Sequence, residues 1–251
     1  MQAVIIAAGE GRRMRPLTER WPKALLPVGR RPVIALLLRE LAGVPLERVT
    51  IVIGHLGEQI VRLVGDGACF GLPVSYAEQP EALGSADAVR RALEAGAEPP
   101  LLVSAADTVY RPGDLASAAA RFETAGAAGG LGVRPVPLDE LSERSSVRVE
   151  GGRVVEVIEK PTPARVGAGP VPPVSPNTAA TVLAAAPLWL MACSLLPFVG
   201  AVTGPPYQLA DAYQAAIDAG ETIAALELGP TLDLTRPADV IAQNFPYLWT
   251  V

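Results

Sequence analysis

The chain has 251 residues, 50% of them hydrophobic and 19% charged, with a formal net charge of -5. That length suffices for one well-buried α/β core. The mild acidity argues against non-specific nucleic-acid binding, which needs clustered Lys and Arg, so any phosphate bound must be held by a few local cations.

Cys69 and Cys193 are too few for a disulfide framework and fit reduced thiols in a cytoplasmic protein. Ala3 to Ala7 reads as a strand. No basic segment precedes it and Gly9-Glu10 follows at once, unlike a secretory signal. Val33 to Leu41 predicts a helix, Val49 to Ile53 a strand, Leu56 to Val64 a helix and Val74 to Ala77 a strand. Ser85 to Ala95 predicts a helix, and Leu101 to Ser104 a strand that ends near Asp107. This alternation predicts an α/β fold, a three-layer α/β/α arrangement on a mostly parallel, Rossmann-like mixed central sheet.

After Asp107 the texture changes. Pro112 to Ala125 predicts a helix, and Gly130 to Val136 a strand. Val147 to Glu159 predicts two strands folded back at Gly151-Gly152, and the Pro- and Gly-rich stretch Pro161 to Pro176 a loop. Thr178 to Gly204 carries no charge and is long enough to cross a bilayer. Pro187 and Pro197 divide it, so it is read as a buried strand, Thr181 to Ala185, and a short helix starting at Pro187, with no membrane span. Gln208 to Ala219 predicts a helix, Thr222 to Leu228 a strand and Pro237 to Phe245 a closing helix. Without a linker, a single domain over residues 1–251 is expected, its nucleotide half ending at about residue 107 and its substrate half following.

The chemistry concentrates in Ala7-Ala8-Gly9-Glu10-Gly11-Arg12-Arg13-Met14-Arg15-Pro16-Leu17-Thr18, directly after the first strand. Ligands of open parallel sheets bind beyond the carboxyl ends of the strands. Gly9 and Gly11 let backbone N–H groups approach a polyphosphate, and Arg13 supplies a permanently charged planar fork. A dinucleotide fingerprint would need Gly where Met14 stands, and the Gly-Lys-Ser/Thr of a P-loop is absent. Trp21-Pro22-Lys23-Ala24-Leu25-Leu26-Pro27-Val28 then presents Lys23 between prolines expected to hold the backbone extended.

Together the two segments resemble the signature of the sugar-1-phosphate nucleotidylyltransferases, which include glucose-1-phosphate thymidylyl- and uridylyltransferases. The resemblance implies that Arg13 and Lys23 are catalytic, gripping the triphosphate and stabilising charge at the α-phosphate and the leaving pyrophosphate. It places Ala8, Gly9 and Gly11 against the nucleotide. In Tyr76-Ala77-Glu78-Gln79-Pro80-Glu81-Ala82-Leu83-Gly84-Ser85 it gives Gln79 and Gly84 to the pyrimidine. An amide donor and acceptor match the imide edge of uracil or thymine, and Ser85, beside the nucleotide, could cap the helix. Asp107, at a strand end, and Asp233, in Leu232-Asp233-Leu234-Thr235-Arg236-Pro237, are implied as Mg²⁺ ligands. Asp239 is read as a first-turn acid that suits the helix dipole. Glu159 and Lys160, in Glu-Lys-Pro, and Asn177 are implied as sugar-phosphate ligands.

The chain departs from the family where Ala106 replaces a Gly, where Ser145-Ser146 stands for Tyr-Gly, and after Asn177. The expected function is therefore nucleotidyl transfer, from UTP or dTTP, to a sugar 1-phosphate. The expected partners are those two substrates, without nucleic acid or membrane, and a homo-oligomer stays open. A non-catalytic nucleotide-sugar-binding regulatory module and a cytidylyl- or guanylyl-transferring relative remain as alternatives. A glycosyltransferase would carry Asp-x-Asp where this chain reads Asp107-Thr108-Val109. His55, the only histidine, is expected in a loop without a role, and one His with two distant Cys makes no catalytic triad or zinc site.

Overall fold

A computed structural model describes residues 1–137, 144–158 and 181–248. In chain order the elements are β1 (Gln2–Ala7), β2 (Pro27–Val28), β3 (Arg31–Pro32), α1 (Val33–Leu41), β4 (Val49–Ile53), α2 (Gly57–Val64), β5 (Val74–Glu78) and α3 (Ser85–Glu94). There follow β6 (Leu101–Ala105), β7 (Thr108–Val109), α4 (Asp114–Ala125), β8 (Gly129–Pro137), β9 (Ser146–Glu150) and β10 (Arg153–Ile158). The last are β11 (Thr181–Met191), α5 (Leu196–Ala201), α6 (Leu209–Asp218), β12 (Ile223–Glu227), β13 (Leu232–Asp233) and α7 (Pro237–Leu248).

Nine strands form one mixed sheet in the order β5-β4-β1-β6-β11-β8-β12-β10-β9. The expected parallel character belongs to β5, β4, β1 and β6, and to the β12–β8 pair. β11 runs antiparallel to both β6 and β8, and β10 antiparallel to β12 and β9. Strand side chains alternate between two cores, as period two requires. Ala3, Ile5 and Ala7 join α1, α2 and α4 on one face, whereas Val4 joins α3, α5 and α6 on the other. This is the three-layer arrangement, with helices covering both faces.

One predicted boundary is wrong. The run from Thr181 does not break into a helix at Pro187; β11 continues to Met191, and the helix starts at Leu196. The register slips between Ala185 and Trp189, so the proline, which has no N–H to give, sits in an irregularity of the ladder. Its carbonyl accepts from the Tyr110 hydroxyl at 2.9 Å. A proline inside an apolar run reads locally as a helix start. Here β6 and β8 flank the segment, and their pairing claims the whole run. Among the described residues no helix is long and apolar enough to cross a membrane.

Candidate active site

Loop and turns after β1 form a compact platform. Gly11 has φ 62° and a Cβ there would lie 2.8 Å from Thr18 Cγ2, so the turn needs glycine for both backbone and space. Thr18 Oγ1 donates to the Gly11 carbonyl at 2.8 Å, and the Thr18 carbonyl lies 3.1 Å from His55 Nε2. The lone histidine thus meets the signature loop. Fully buried Met14 packs with Leu26, Val33 and Leu234 in a small separate core beneath the loop. From the C-terminal side, Asn244 of α7 donates to the Pro27 carbonyl at 2.9 Å. Asp239 accepts from the Thr235 and Arg236 amides at 2.6 and 2.7 Å, making it a helix-start cap by direct hydrogen bonds.

Lys23 is not on an extended segment. Pro22 and Leu26 are extended, but Lys23–Leu25 form a single 3₁₀ turn. The turn buries Ala24 in the main core and brings the Lys23 ammonium into an ion pair with the Asp107 carboxylate. A cavity of about 350 Å³ opens beyond the carboxyl ends of β1 and β6, and Gly9, Gly11, Arg13, Lys23, Asp107 and Thr235 line it. Nothing lies within 4 Å of a Cβ built on Gly9, so the loop is open there. Ala8, by contrast, is buried. Glu10 clasps the exposed Arg12 at 2.8 and 3.0 Å, and the guanidinium holds the Glu10 carboxyl below its usual range.

The segment expected to meet the base is tied to two distant places. Gln79 is only 3% exposed, and its Nε2 donates to the Gly84 carbonyl at 3.1 Å and to Asp87 Oδ2 at 2.8 Å. Both amide donors are therefore spent, which corrects the expectation of one donor and one acceptor toward the base. Gln79 lines a second cavity, of about 680 Å³, with Gly54, His55, Arg62 and Glu78. Gly54 lets the two regions approach: a Cβ there would meet the Gln79 and Ala8 carbonyl oxygens at 2.7 and 2.8 Å.

Ser85 does not cap its helix; Gly84 occupies the N-cap position. The Ser85 hydroxyl instead donates to Gln208 Oε1 at 3.2 Å and accepts from the Leu209 amide at 2.9 Å. Tyr207 exchanges backbone hydrogen bonds with Leu83 and Ala86, and the Arg90 guanidinium stacks 4.4 Å from the centre of its ring. Gly84, at φ 120°, would place a Cβ 2.2 Å from the Tyr207 carbonyl oxygen. Gly84→Ala is therefore expected to destabilise the fold by roughly 2 kcal/mol or more. A thermal melt superimposable on the wild type would refute that strap-like contact.

Asp233 is placed beside β7 but is heavily engaged. β13 pairs with β7, setting Asp233 opposite Thr108. Oδ1 accepts from the Thr108 hydroxyl at 3.0 Å, and Oδ2 accepts from Arg134 at 2.8 Å and Arg144 at 2.6 Å. Asp233 and Arg134 are both about nine-tenths buried. A carboxylate filled in this way offers a cation little, contrary to the expected ligand role. Among the described residues no three Asp, Glu, His or Cys gather as a metal site. Arg134 carries one signal in the sequence, a lone charge within the apolar strand Gly130 to Val136, whereas Asp87, Arg144 and Thr235 carry none that points to the site. Glu159, Lys160 and Asn177 lie outside the described residues.

Comparison with known proteins points the same way. Residues 2–182 match the model of the nucleotidyl transferase family. The chain is 30% identical over 241 residues to UTP–glucose-1-phosphate uridylyltransferase AglF of Haloferax volcanii, covering 95% of this chain and 93% of that protein. It is 42% identical over 89 residues to glucose-1-phosphate thymidylyltransferase of Streptomyces griseus, 36% of this chain and 25% of that one. A low-salt glycan biosynthesis nucleotidyltransferase of Haloferax volcanii is 29% identical over 164 residues, 64% of this chain and 45% of the relative. The chain thus spans nearly all of one relative and less than half of others. The fold superposes on a UDP-glucose pyrophosphorylase complexed with UDP-glucose with a TM-score of 0.79, at 18% identity, covering 100% and 99% of the two chains. A glycine loop with its arginine and lysine beyond a parallel strand, the shared fold and the matched sequence together make this chain a member of the nucleotidyl transferase family, in its sugar-1-phosphate branch.

Proposed function

We propose that the protein transfers a nucleotidyl group from a nucleoside triphosphate to a sugar 1-phosphate, releasing pyrophosphate. The observation that carries this reading is the convergence of Gly9, Gly11, Arg13, Lys23 and Asp107 on one cavity beyond the carboxyl ends of β1 and β6. In the proposed reaction an oxygen of the sugar phosphate forms a bond to the α-phosphorus while the bond from that phosphorus to the bridging oxygen breaks. The electron pair leaves with pyrophosphate. The nucleophile is already an anion at neutral pH, so no general base is required. The work left to the protein is positioning and charge neutralisation. Open backbone at Gly9 admits the triphosphate, Gly11 makes the tight turn beside it, Arg13 grips the phosphate oxygens, and Lys23 exchanges the Asp107 carboxylate for phosphate.

Members of this family are generally divalent-metal dependent. The donor set suits Mg²⁺, which binds through one or two carboxylates and completes its shell with phosphate oxygens and water. Asp107 would hold it, and the bound ion would offset charge on the reacting phosphates. In this reading Asp233 acts through Arg134 and Arg144, which it holds beside the site. Glu159, Lys160 and Asn177 are proposed, on the family resemblance alone, to take the sugar phosphate. The sheet that joins the nucleotide half to the remainder supports treating residues 1–251 as one working unit, and two cysteines, too few for a disulfide framework, support placing it in the cytoplasm.

UTP or dTTP is the proposed donor, which agrees with the names of the similar enzymes from Haloferax volcanii and Streptomyces griseus. The test is pyrophosphate release from UTP, dTTP, CTP, GTP and ATP against several sugar 1-phosphates, with and without excess chelator. Turnover with UTP or dTTP that chelator abolishes is the expected result. Preference for GTP would show the donor to be misassigned, undiminished turnover in chelator would remove the metal, and no turnover with any pair would favour a binding module.

A further inference from the structure

We infer that Asp87 is a specificity-determining positioning residue: it locks the Gln79 amide so that only its carbonyl oxygen can be offered to a nucleobase. The inference rests on the proposed nucleotide site and names the chemistry by which that site sorts bases. Asp87 lies on α3, 8% exposed, and its Oδ2 takes a hydrogen bond of 2.8 Å from Gln79 Nε2. The second proton of the same nitrogen goes to the Gly84 carbonyl at 3.1 Å. A backbone carbonyl can only accept, and so can an ionised carboxylate, which here also pairs with Arg91 Nε at 3.8 Å. The end of the side chain that faces both partners must therefore be the nitrogen. A rotation of the amide by half a turn would set its oxygen against two acceptors in a buried place, which is costly.

The consequence is a polarity filter. With both donors committed, Gln79 has one side-chain function left, the Oε1 acceptor, and among the described residues no donor meets it. At the ring nitrogen of the pairing edge, uracil and thymine carry N3–H, a donor, whereas cytosine carries a bare lone pair at neutral pH. Oxygen against N3–H is a hydrogen bond; oxygen against the cytosine lone pair is a repulsion that a free amide would relieve by turning over. Asp87 denies it that turn. Glu78, next in sequence, is exposed and makes no such contact, so the buried pair singles out position 79.

The experiment measures dissociation constants of UTP and CTP by titration calorimetry, without sugar phosphate, so it reads binding whether or not turnover occurs. Wild-type protein is expected to prefer UTP by roughly tenfold or more, the usual consequence of one mismatched buried hydrogen bond. In Asp87→Asn the side chain at position 87 can turn to donate, so a turned Gln79 amide opposes one acceptor instead of two, and the CTP to UTP ratio of dissociation constants is expected to fall by about threefold or more. In a Gln79→Leu background the same Asp87→Asn change is expected to leave the ratio unmoved, because the group it orients is gone. A mere loss of structure would weaken both nucleotides together and leave the ratio intact. Asp87→Ala repeats the test should Asp87→Asn not fold. A wild-type protein indifferent to UTP and CTP, an unchanged ratio in both Asp87 variants, or an equal change with and without Gln79 would overturn the inference. Absence of turnover alongside the expected ratios would instead count against the proposed reaction alone.

Discussion

Lys23→Ala is expected to lower turnover by about a hundredfold or more, the loss typical of a group that stabilises charge in the transition state, with Arg13→Ala close behind. The 3₁₀ turn at Lys23–Leu25 delivers the ammonium to the cavity, where it meets Asp107, and both side chains are about one-fifth exposed. Both groups line an open cavity that water can enter, so solvent discounts the pair's contribution to stability. The two roles therefore separate cleanly. If Lys23 serves the phosphates, Lys23→Ala loses turnover while its melting temperature stays near that of the wild type. Arg13 is exposed on the rim of the same cavity, so its substitution should be at least as mild structurally. Single-turnover measurements at saturating substrate, with thermal melts, provide the comparison. Near-native turnover in both variants would sink the mechanism.

Asp233→Ala is expected to destabilise the protein by roughly 3–5 kcal/mol, the scale for removing one partner of a buried ion pair. Its carboxylate receives Arg134, Arg144 and Thr108 at once, and Arg134 is buried on β8. Without the carboxylate, the buried Arg134 guanidinium loses a hydrogen-bonded counter-charge at 2.8 Å. Asp233→Asn keeps an acceptor for Thr108 but loses the charge, so an intermediate loss is expected. Denaturant unfolding in metal-free buffer measures both. The metal-ligand role implied by the family resemblance predicts the opposite sign without metal, since removing a carboxylate from an empty cation site relieves repulsion. A change smaller than about 1 kcal/mol would show that the arginines do not depend on Asp233.

Period and punctuation were enough to locate most elements. Helix α1 and strand β4 fall on their predicted bounds, and α3, α4, α6 and β12 lie within a few residues of theirs, because each has an apolar face of the right period and a Gly or Pro near an end. The boundary at Pro187 failed because a proline's effect depends on whether the ladder around it can slip, and β8 supplies that slip from residues far away in sequence.

The site divides along the same line. The sequence by itself determined the signature loop, since Gly9, Gly11, Arg13 and Lys23 are close neighbours along the chain and their chemistry is local: glycines for backbone approach, cations for phosphate. Only the tertiary structure decided what the carboxylates and the amide do. Asp107 meets Lys23 across 84 positions, Asp233 meets Arg134 across 99, and Ser85 meets Gln208 across 123. Even the short Gln79–Asp87 bond depends on a turn and the first helical turn of α3 packing the two side chains into one buried space. A hydrogen-bonding side chain carries more than one use in its covalent structure, and which use survives depends on the partners that folding brings to it.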